Sequence, residues 1–360
     1  MSIYAIDVSL QKHGVLSMKS NRPTLKDVAV KSGYALRTVK KVISGDPNVR
    51  EKTRISVLAA ANELQYTRNR AASALARNRT VRFAVVYSVT SQAYFPEIRQ
   101  GFDAALREFL DFGLALEFYC GHGDDWHKQN AILDNLLERK DIDGVIIQPI
   151  SSFQLNPKIN ALVEKGITVV TFGADAPESR RLCYVGPDAY KSGRIGGQIL
   201  ANYIGKNGRV CLINQDLDHL QTRDRCRGFI DRIQEHYPNI SVFERNLPRN
   251  DQLYYEQVCA LLREEQLSGL FCTDANTVIV GRALCDLNMH DVALIGFDLS
   301  QNGKQLMRDG YIRVIIEQKP ETISHLATVL LYHYIVDKAV PASISNTPLY
   351  IMTSECLDEA

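Results

Sequence analysis

The stretch LKDVAVKSGYALRTVKKVISG, residues 25–45, combines two short apolar patterns that are separated by a glycine. Apolar residues recur at helical spacing on both sides of Ser32-Gly33, and this indicates two helices joined by a tight turn. Thr24 precedes the first helix and carries the hydroxyl that an N-cap uses. The second helix, from about Leu36 to Ser44, is expected to turn three apolar residues inward, namely Val39, Val42 and Ile43.

A third helix is predicted after the turn Gly45-Asp46-Pro47, from about Glu51 to Leu64. Two short helices with a glycine turn and a third supporting helix are typical of helix-turn-helix units, in which the second helix enters the major groove of DNA. On composition alone, a small helical bundle with a solvated basic face explains the segment equally well. The residues that the third helix is expected to bury are Ile55, Val57, Leu58 and Leu64.

The charge of this segment differs from that of the rest of the chain. The whole sequence of 360 residues has a formal net charge of +1, which by itself argues against a nucleic-acid-binding protein. Between Arg22 and Arg79, however, there are thirteen Lys or Arg residues and four acidic residues, so this segment carries +9 and the remainder −8. A small basic unit on a larger acidic body is expected where one part of a protein meets phosphate and the other does not.

Cysteine spacing and hydropathy argue against several other classes of protein. The eight cysteines form no CxxC pair and are expected to be reduced, small buried residues rather than zinc ligands or disulfides. We find no apolar run long enough to cross a membrane. Residues 1–21 lack the features of a signal peptide, so a cytoplasmic protein is expected. This leader is interpreted either as a disordered extension or as the result of a start at Met18 rather than Met1.

From Val81 onward, short apolar runs alternate with helical patterns. This alternation predicts parallel sheets covered by helices on both faces, and the number of units favours two doubly wound lobes with a cleft between them. The predicted fold class is therefore an all-α helix-turn-helix headpiece followed by a two-lobed α/β domain. The predicted strands are 81–88, 114–120, 144–150, 167–172, 209–214, 240–246, 269–272 and 292–297, and the predicted helices are 94–112, 126–139, 156–165, 188–205, 223–236, 251–264, 276–288 and 300–308.

No catalytic or cofactor site emerges from this body. There is no P-loop, and the glycine-rich segment 193–197 lies inside a helical pattern, where it is expected to serve helix packing rather than a dinucleotide. The histidines lack the spacing of metal ligands, and His219 is expected on a loop surface. We therefore predict no enzyme activity, no metal and no cofactor.

The segment Thr24–Gly45 resembles the headpiece of the lac-repressor family of bacterial transcription regulators. That family's pattern is roughly T-[IL]-x-D-V-A-x-x-A-G-V-S-x-x-T-V-S-R-V-L-N-G, and this chain reads TLKDVAVKSGYALRTVKKVISG. The similarity continues through the turn Asp46–Val49, through Leu64-Gln65-Tyr66, and through a hinge pattern at 67–76. It spans more than fifty consecutive residues, and it implies a sequence-specific DNA-binding regulator.

The resemblance also implies roles for individual residues. Leu36 and Arg37 stand at the two positions that select bases, and an arginine can bond guanine through two N–H groups. Leu75 matches the hinge leucine that wedges into the minor groove and kinks the DNA. The full set of implied DNA-binding residues is Thr24, Tyr34, Leu36, Arg37, Thr38, Lys40, Lys41, Asn48, Asn69, Ala72 and Leu75.

Three residues depart from the family pattern. Ala35 stands where the family has a serine N-cap, Lys40 stands where it has serine, and Arg68 replaces the hinge proline. Ala35 removes a hydroxyl that would accept from a helix-terminal amide, and Lys40 adds charge to the surface that meets DNA. These departures concern which operator is bound rather than whether DNA is bound.

The body resembles the periplasmic-binding-protein fold that the same family carries as its effector domain. The segments that carry this similarity are Ala93-Tyr94-Phe95, Tyr184–Asp188, Arg223–Phe229, Ile295–Asp298 and Ile315–Pro320. The resemblance implies a small-molecule effector that is bound between the lobes. Because the last of these segments contains Gln318, this chain looks closer to sugar-binding proteins than to the purine-responsive members of the family.

The implied effector site combines apolar ring faces with polar groups that suit a sugar or polyol. Tyr94 and Phe95 would enclose the ring, and Asp298 and Gln318 would bond hydroxyls. Of the two nearby arginines, Arg223 is favoured for the cleft. The CTDANT segment aligns poorly with the family's A-N-D element, so Gln92, Asp274 and Asn276 are weaker candidates. The predicted effector-binding residues are Tyr94, Phe95, Arg223, Arg225, Asn276, Asp298 and Gln318.

These observations predict a cytoplasmic repressor that binds operator DNA and responds to a small polar ligand. The sequence does not separate a homodimer from a tetramer, and a homodimer is favoured because no leucine-heptad tail follows Thr353. The alternatives are a free-standing solute-binding protein and a nucleotide-dependent oxidoreductase. The expected division is a leader at 1–21, a headpiece at 22–67, a hinge at 68–79 and an effector domain at 80–360, with lobe 1 taking about 80–185 plus 315–335 and lobe 2 about 186–314 plus the C-terminal segment.

Overall fold

The computed structural model describes residues 23–43, 46, 48–64, 66, 80–89, 95–122, 125–215 and 219–357, without the side chains of Val89, Phe95 and His122. The described residues form two compact units, one within 23–66 and the other within 80–357. The predicted leader at 1–21 and the predicted hinge at 68–79 lie outside the described residues.

The described helices of the first unit are α1 (Leu25–Ser32), α2 (Leu36–Ile43) and α3 (Glu51–Glu63). Thr24 caps α1 as expected: its hydroxyl accepts from the Asp27 amide at 3.4 Å, and the Asp27 carboxylate accepts from the Thr24 amide at 2.7 Å. Gly33 ends α1 with a φ of 71°, a left-handed conformation that costs glycine little. The predicted helix, turn and helix are confirmed.

The core of this unit differs in part from the predicted one. The prediction that α3 buries Ile55 and Leu58 is wrong, since these side chains are 61% and 42% exposed. Positions 57, 60 and 61 form one helical stripe, and its two alanines allow α3 to approach the other helices closely, so the larger residues fall on other faces. The buried residues of the unit are Val28, Val39, Val42, Val57, Ala60 and Ala61.

Two six-stranded sheets organise the second unit. The first sheet contains β1 (Val81–Val89), β2 (Leu114–His122), β3 (Gly144–Ile147), β4 (Thr168–Phe172), β5 (Cys183–Gly186) and β11 (Ile344–Asn346). Its spatial order is β11-β5-β4-β3-β1-β2, and all pairings are parallel. Helices cover both faces: α4 (Phe95–Phe109) and α12 (Pro320–Asp337) lie on one, and α5 (Trp126–Glu138) and α6 (Asn156–Glu164) on the other.

The second sheet contains β6 (Gly208–Asn214), β7 (Ile240–Asn246), β8 (Gly269–Cys272), β9 (Ala293–Phe297), β10 (Val314–Glu317) and β12 (Tyr350–Met352). Its order is β12-β10-β9-β8-β6-β7, and only β12 among these strands runs antiparallel to its neighbour. One face carries α7 (Ala189–Tyr203) and α8 (Leu220–His236), and the other carries α9 (Asp251–Glu264), α10 (Thr277–Asp286) and α11 (Gln301–Arg308). The predicted two doubly wound lobes are confirmed.

The chain passes between the two sheets after β5, after β10 and after β11. Residues 315–335 were expected to belong to lobe 1, and this is wrong for the strand β10, which pairs with β9 in the second sheet. Ile315 and Ile316 pack into the cores on the two faces of that sheet. The following helix α12 packs on α4, where the Ser324 hydroxyl donates to the Ile98 carbonyl at 2.9 Å. The C-terminal segment is also divided between the lobes, since β11 pairs with β5.

The glycine-rich segment of α7 packs directly against α8. A Cβ atom at Gly193 would lie 2.0 Å from the Arg225 carbonyl oxygen, and one at Gly228 would lie 2.0 Å from the Tyr190 carbonyl oxygen. The two helix backbones therefore touch with no side chain between them, which confirms the expected packing role. The contact also fixes the height of Arg225 above the sheet.

Candidate functional site

Helix α2, the second helix of the predicted helix-turn-helix, presents a basic surface. Val39 and Val42 are buried beneath it, whereas Arg37, Lys40 and Lys41 are exposed. Lys41 lies 3.6 Å from the Asp46 carboxylate. Because the apolar stripe of this short helix fills the core, its remaining faces are free to meet the phosphates and base edges of DNA.

The other predicted DNA-binding residues have more varied surroundings. The Thr24 hydroxyl is engaged with Asp27, Tyr34 packs partly against the core, and Asn48 is exposed. Leu36 and Thr38 are half-buried at the start of α2. Asn69, Ala72 and Leu75 lie outside the described residues, so the minor-groove role of the hinge stays a prediction.

A cavity of about 170 Å³ lies between the two lobes at the carboxyl ends of the strands. This is the place where open α/β sheets bind ligands. Both lobes contribute: β1 and the segment after β3 from the first, and the segments after β6, β8, β9 and β10 together with α8 from the second. Its lining residues are Ser88, Gln148, Pro149, Ile150, Gln215, His219, Gln221, Thr222, Arg225, Thr273, Asp274, Ala275, Asp298 and Gln318.

Three side chains form a continuous hydrogen-bonded row on the floor of this cleft. The Arg225 guanidinium donates to the Gln318 Oε1 atom at 2.7 Å, and the Gln318 amide donates to the Asp298 Oδ1 atom at 2.7 Å. Arg225 also donates to the Thr273 carbonyl at 2.7 Å, and its Cζ lies 3.8 Å from the centroid of the Phe297 ring. Arg225 and Gln318 are only 6% and 4% exposed, so their orientation is fixed before a ligand arrives.

The sequence-based choice between the two arginines is wrong. Arg225 lies in the cleft, whereas Arg223 is exposed and borders a surface depression with Arg227 and Glu244. Residues two positions apart in an α-helix, such as 223 and 225, are separated by about 200° around its axis, so only one of the pair can face the cleft. Arg225 shares its face with the buried Phe229, which packs against the sheet, and this fixes the rotation of α8.

Asp298 follows β9 and has a φ of 62°, an uncommon conformation for a residue other than glycine. Burial, followed by the nearby Glu317 carboxylate, raises the pKa of Asp298 to about 6, while Arg225 and Gln318 act in the opposite direction. The carboxylate remains mainly ionised at pH 7, and it can accept hydrogen bonds from a ligand.

Asn276, which the sequence prediction placed in the site, is not among the residues that line the cavity. It precedes α10, and its backbone amide donates to the Asp274 Oδ1 atom at 2.9 Å. Asp274 lines the cavity instead, and its buried Oδ2 atom has no hydrogen-bond partner among the described residues. Burial raises the pKa of Asp274. Its position just beyond β8 matches that of Asp298 beyond β9, a signal that the sequence contained.

The aromatic part of the predicted site is only partly described. Tyr94 lies outside the described residues, and Phe95 begins α4 with a side chain that is not described. Their enclosure of a ring stays a prediction. His219, expected on a loop surface, borders the cavity, because α8 begins at Leu220 rather than near 223 and brings His219 to the cleft.

Two family models match this chain. The model described as "Bacterial regulatory proteins, lacI family" matches residues 24–69, and the model described as "Periplasmic binding protein domain" matches residues 83–339. The chain belongs to the lacI family of bacterial regulatory proteins. It is therefore a DNA-binding transcription regulator with a periplasmic-binding-protein-like effector domain, and its headpiece favours this function over that of a free-standing solute-binding protein.

Two relatives agree with the assignment to the lacI family, and a solved structure shares the fold of the effector domain. Catabolite control protein A of Streptococcus mutans is 26% identical over a match that covers 65% of this chain and 64% of the relative. The sucrose operon repressor of Pediococcus pentosaceus is 24% identical over 88% of this chain and 93% of the relative. GanP, a glucose-galactose binding protein from Geobacillus stearothermophilus, has a TM-score of 0.71 at 24% identity, covering 77% of this chain and 98% of that chain, which shows a shared fold.

A contact across the cleft of this lacI-family protein was not predicted from the sequence. The Gln221 side-chain amide, at the start of α8 in the second lobe, donates to the Gly173 carbonyl and to the Tyr184 hydroxyl of the first lobe, the latter at 3.2 Å. Tyr184 is itself buried and donates to the Pro187 carbonyl at 3.1 Å. The lobes are therefore hydrogen-bonded to each other beside the cavity.

Among the described residues of this lacI-family regulator, no helix is long and apolar enough to cross a membrane. No group of three or more His, Cys, Asp or Glu side chains within the same residues is placed to hold a metal ion. The relatives named above are regulators and a binding protein rather than enzymes.

Proposed function

We propose that this regulator is a cytoplasmic repressor whose affinity for operator DNA is set by a small neutral polyol, of monosaccharide size, bound in the cleft. The observation that carries the proposal is the buried row Arg225–Gln318–Asp298, which presents donors and acceptors at the carboxyl ends of the strands. A ligand with several hydroxyl groups can satisfy both the carboxylate and the amide of such a row.

The charge of the cleft favours a neutral ligand over an anionic one. Among the described residues that line the cavity, Arg225 carries a permanent positive charge, and its guanidinium already donates to Thr273 and Gln318. Asp274 and Asp298 are two carboxylates in the same cavity. A phosphate or carboxylate on the ligand would lie next to these carboxyl groups in a partly desolvated site, which disfavours binding.

The size of the cleft and the similarity to known proteins support the same ligand class. A volume of about 170 Å³ is small beside the roughly 300–1,000 Å³ of pockets for drug-sized ligands. One similar regulator is named a sucrose operon repressor, and one similar structure is described as a glucose-galactose binding protein. These names favour a sugar or related polyol, and the small volume of the cavity favours one with a single ring.

The proposed mechanism connects the cleft to DNA through movement of the two lobes. Two chains pair through their effector domains and present two headpieces to a pseudo-palindromic operator. Ligand that bridges the lobes changes their relative position, and this biases the population between states that do and do not hold the headpieces at operator spacing.

A thermal-shift screen of the full-length protein tests the ligand class. Its panel contains neutral sugars, polyols, their phosphates, sugar acids and purines, because a ligand raises the melting temperature in proportion to its binding free energy. We expect a neutral sugar or polyol to stabilise the protein, and we expect Asp298→Ala to abolish that effect. Arg223→Ala is the control, since Arg223 lies outside the cleft. Stabilisation by phosphates or purines alone, or by a sugar that still binds Asp298→Ala, would contradict the proposal.

Arg37 and Lys52 are expected to contribute differently to DNA binding. Arg37→Ala should lower affinity for an operator selected from a random duplex library by roughly 10- to 100-fold and relax the base preference, because a bidentate base contact is lost. Lys52, exposed on α3, should contribute through phosphate, so Lys52→Ala should weaken binding to selected and random duplexes alike. Fluorescence anisotropy with both duplexes measures this, and equal losses for Arg37→Ala on the two would refute base reading.

A further inference from the structure

The side chain of Gln221 connects the two lobes beside the cleft. Gln221 stands in the first turn of α8 and lines the cavity. Arg225 lies one turn later on the same face of α8, and Phe229 lies one turn after that. Phe229 is buried in the core of the second sheet, and the close contact between α7 and α8 holds the helix in place. The packing of the second lobe therefore fixes the direction in which Gln221 extends.

The amide group of Gln221 bonds two acceptors of the first lobe. Its Nε2 atom donates to the Gly173 carbonyl oxygen and to the Tyr184 hydroxyl, the latter at 3.2 Å. Gly173 directly follows β4, and Tyr184 belongs to β5, the neighbouring strand of the first sheet. The reverse orientation of the amide would set its oxygen against the Gly173 carbonyl oxygen, so this acceptor fixes which end of the amide faces the first lobe. Both hydrogen bonds thus cross from one lobe to the other.

The first of the two acceptors is held in place by the backbone of its own lobe. Gly173 has a φ of 65°, and it lies in a tight turn in which the Ala174 amide donates to the Phe172 carbonyl at 2.6 Å. A left-handed conformation of this kind costs glycine little. The Gly173 amide also donates to the Val185 carbonyl at 2.9 Å, which ties the turn to β5. The position of the carbonyl that meets Gln221 is therefore set without Gln221.

The second acceptor, Tyr184, connects the same contact to a crossover between the lobes. Its hydroxyl donates at 3.1 Å to the carbonyl of Pro187, which lies in the segment that leads from β5 to α7. Gly186 leaves room for this arrangement, since a Cβ atom there would lie 2.2 Å from the Tyr184 hydroxyl oxygen. Because α7 packs directly on α8, the bonded path from Tyr184 through Pro187 and the two helices returns to Tyr184 at Gln221.

We propose that Gln221 is a clasp that holds the two lobes together in the absence of effector and thereby sets the operator affinity of the ligand-free regulator. The clasp consists of the two hydrogen bonds from Gln221 to Gly173 and Tyr184. When it is broken, the equilibrium of the lobes shifts towards a wider separation by about fivefold, the usual weight of a neutral hydrogen bond. The operator part of this inference rests on the lobe movement of the proposed function.

The clasp also has a consequence for the effector. With the clasp closed, a ligand of monosaccharide size meets the two walls of the cavity at the separation seen in this structure, and less of its binding energy is spent on ordering the lobes. Gln221 acts here through the position of the lobes, so it is a positioning residue. All three groups of the clasp are uncharged, and its strength should therefore vary little with pH or salt.

The separation of the lobes in the ligand-free protein tests the clasp. A fluorescent donor and acceptor are attached to positions 154 and 252 of the full-length protein through unnatural amino acids. Gln154 and Gln252 are both exposed, and they follow β3 of the first sheet and β7 of the second, at the cleft-facing ends of the two lobes. Labelled chains are mixed with an excess of unlabelled chains, so that energy transfer within one chain is measured.

We expect Gln221→Met to lower the transfer efficiency, because methionine keeps the length of the side chain but has no N–H donor. Tyr184→Phe should give a smaller decrease, since it removes one acceptor and leaves the Gly173 carbonyl. Gln215→Met is the matched control for the separation of the lobes. Gln215 lines the same cavity, but its amide donates at 3.3 Å to the Pro248 carbonyl within the second lobe. Its transfer efficiency should equal that of the native protein.

The affinity for the selected operator, measured by fluorescence anisotropy without effector, should change by about fivefold in Gln221→Met. Gln305→Met should bind as the native protein does, because the exposed Gln305 amide bonds Asp309 within α11.

An unchanged transfer efficiency in both Gln221→Met and Tyr184→Phe would overturn the proposal, and so would an equal decrease in Gln215→Met. A lower efficiency with an unchanged operator affinity would refute the regulatory role of the clasp and the lobe coupling of the proposed function together. Failure of the thermal-shift screen would bear on the ligand class alone, because neither measurement of the clasp uses a ligand.

Discussion

Gly193→Ala is expected to destabilise the effector domain by about 3 kcal/mol or more, which is a large effect for one methyl group added to a packed helix contact. The added Cβ atom would lie 2.0 Å from the Arg225 carbonyl oxygen and 2.9 Å from the Phe229 amide nitrogen. Both contacts are with backbone, so no side-chain rotation relieves them, and α7 and α8 must separate. The separation would open the core around Phe229 and would also displace Arg225 from the cleft.

Gly197→Ala is the matched control for this prediction. It lies on the same side of α7 one turn later, but its Cβ atom would meet the Phe229 carbonyl oxygen at 3.2 Å and the Arg232 Cβ at 3.4 Å, which a small shift relieves. Alanine is favoured over glycine inside a helix by up to about 1 kcal/mol, so this variant should unfold near the native urea concentration. Equal urea midpoints for Gly193→Ala and Gly197→Ala would show that the helices do not pack as described.

Arg225→Met is expected to cost about 3 kcal/mol of stability and to abolish effector binding. Methionine keeps much of the side-chain volume but leaves the buried Thr273 carbonyl and Gln318 Oε1 atom without their donor. The loss of the guanidinium also removes a charge that lowers the pKa of Asp298. The pKa of that carboxyl should therefore rise above its native value of about 6.

The pH dependence of Arg225→Met separates this account from a simple packing defect. A carboxyl with a raised pKa stabilises the folded state at low pH and loses that contribution as the pH rises through the folded-state pKa. In the native protein the loss from Asp298 is nearly complete above pH 7, whereas in Arg225→Met it should continue to higher pH. Urea unfolding at pH 6 and 8 should show a larger deficit at pH 8. Arg223→Met should behave like the native protein at both, and a deficit independent of pH would contradict the electrostatic role of Arg225.

Much of the fold follows from local patterns in the sequence. Thr24, the glycine turn and the apolar spacing of α1 and α2 agree with one another, so the helix-turn-helix was predictable, as was the strand–helix alternation of the two lobes. The inner face of α3 was not, because Ile55 and Leu58 are more apolar than the alanines that form its contact. The short strands β5, β10, β11 and β12 were not predicted as strands, because each depends on pairing with a distant neighbour rather than on its own length.

The candidate cleft was predictable to the extent that it lies at strand ends. Asp298 directly follows the predicted strand 292–297, whereas Gln318 was named from the family resemblance, and both are in the cavity. Arg223 and Arg225 are equally compatible with the sequence, and only the rotation of α8, set by its contact with α7 and the sheet, decides between them. Gln221 and Gly173 are joined by folding of the two lobes, and nothing local in the sequence relates them.

Whether the cleft controls DNA binding is decided by the affinity of the full-length protein for its selected operator, measured with and without the sugar or polyol that stabilises it. We expect a change of about tenfold or more, within the usual range of coupling between two sites, and no change in Asp298→Ala. An operator affinity that is identical in the presence and absence of a saturating cleft ligand would contradict it.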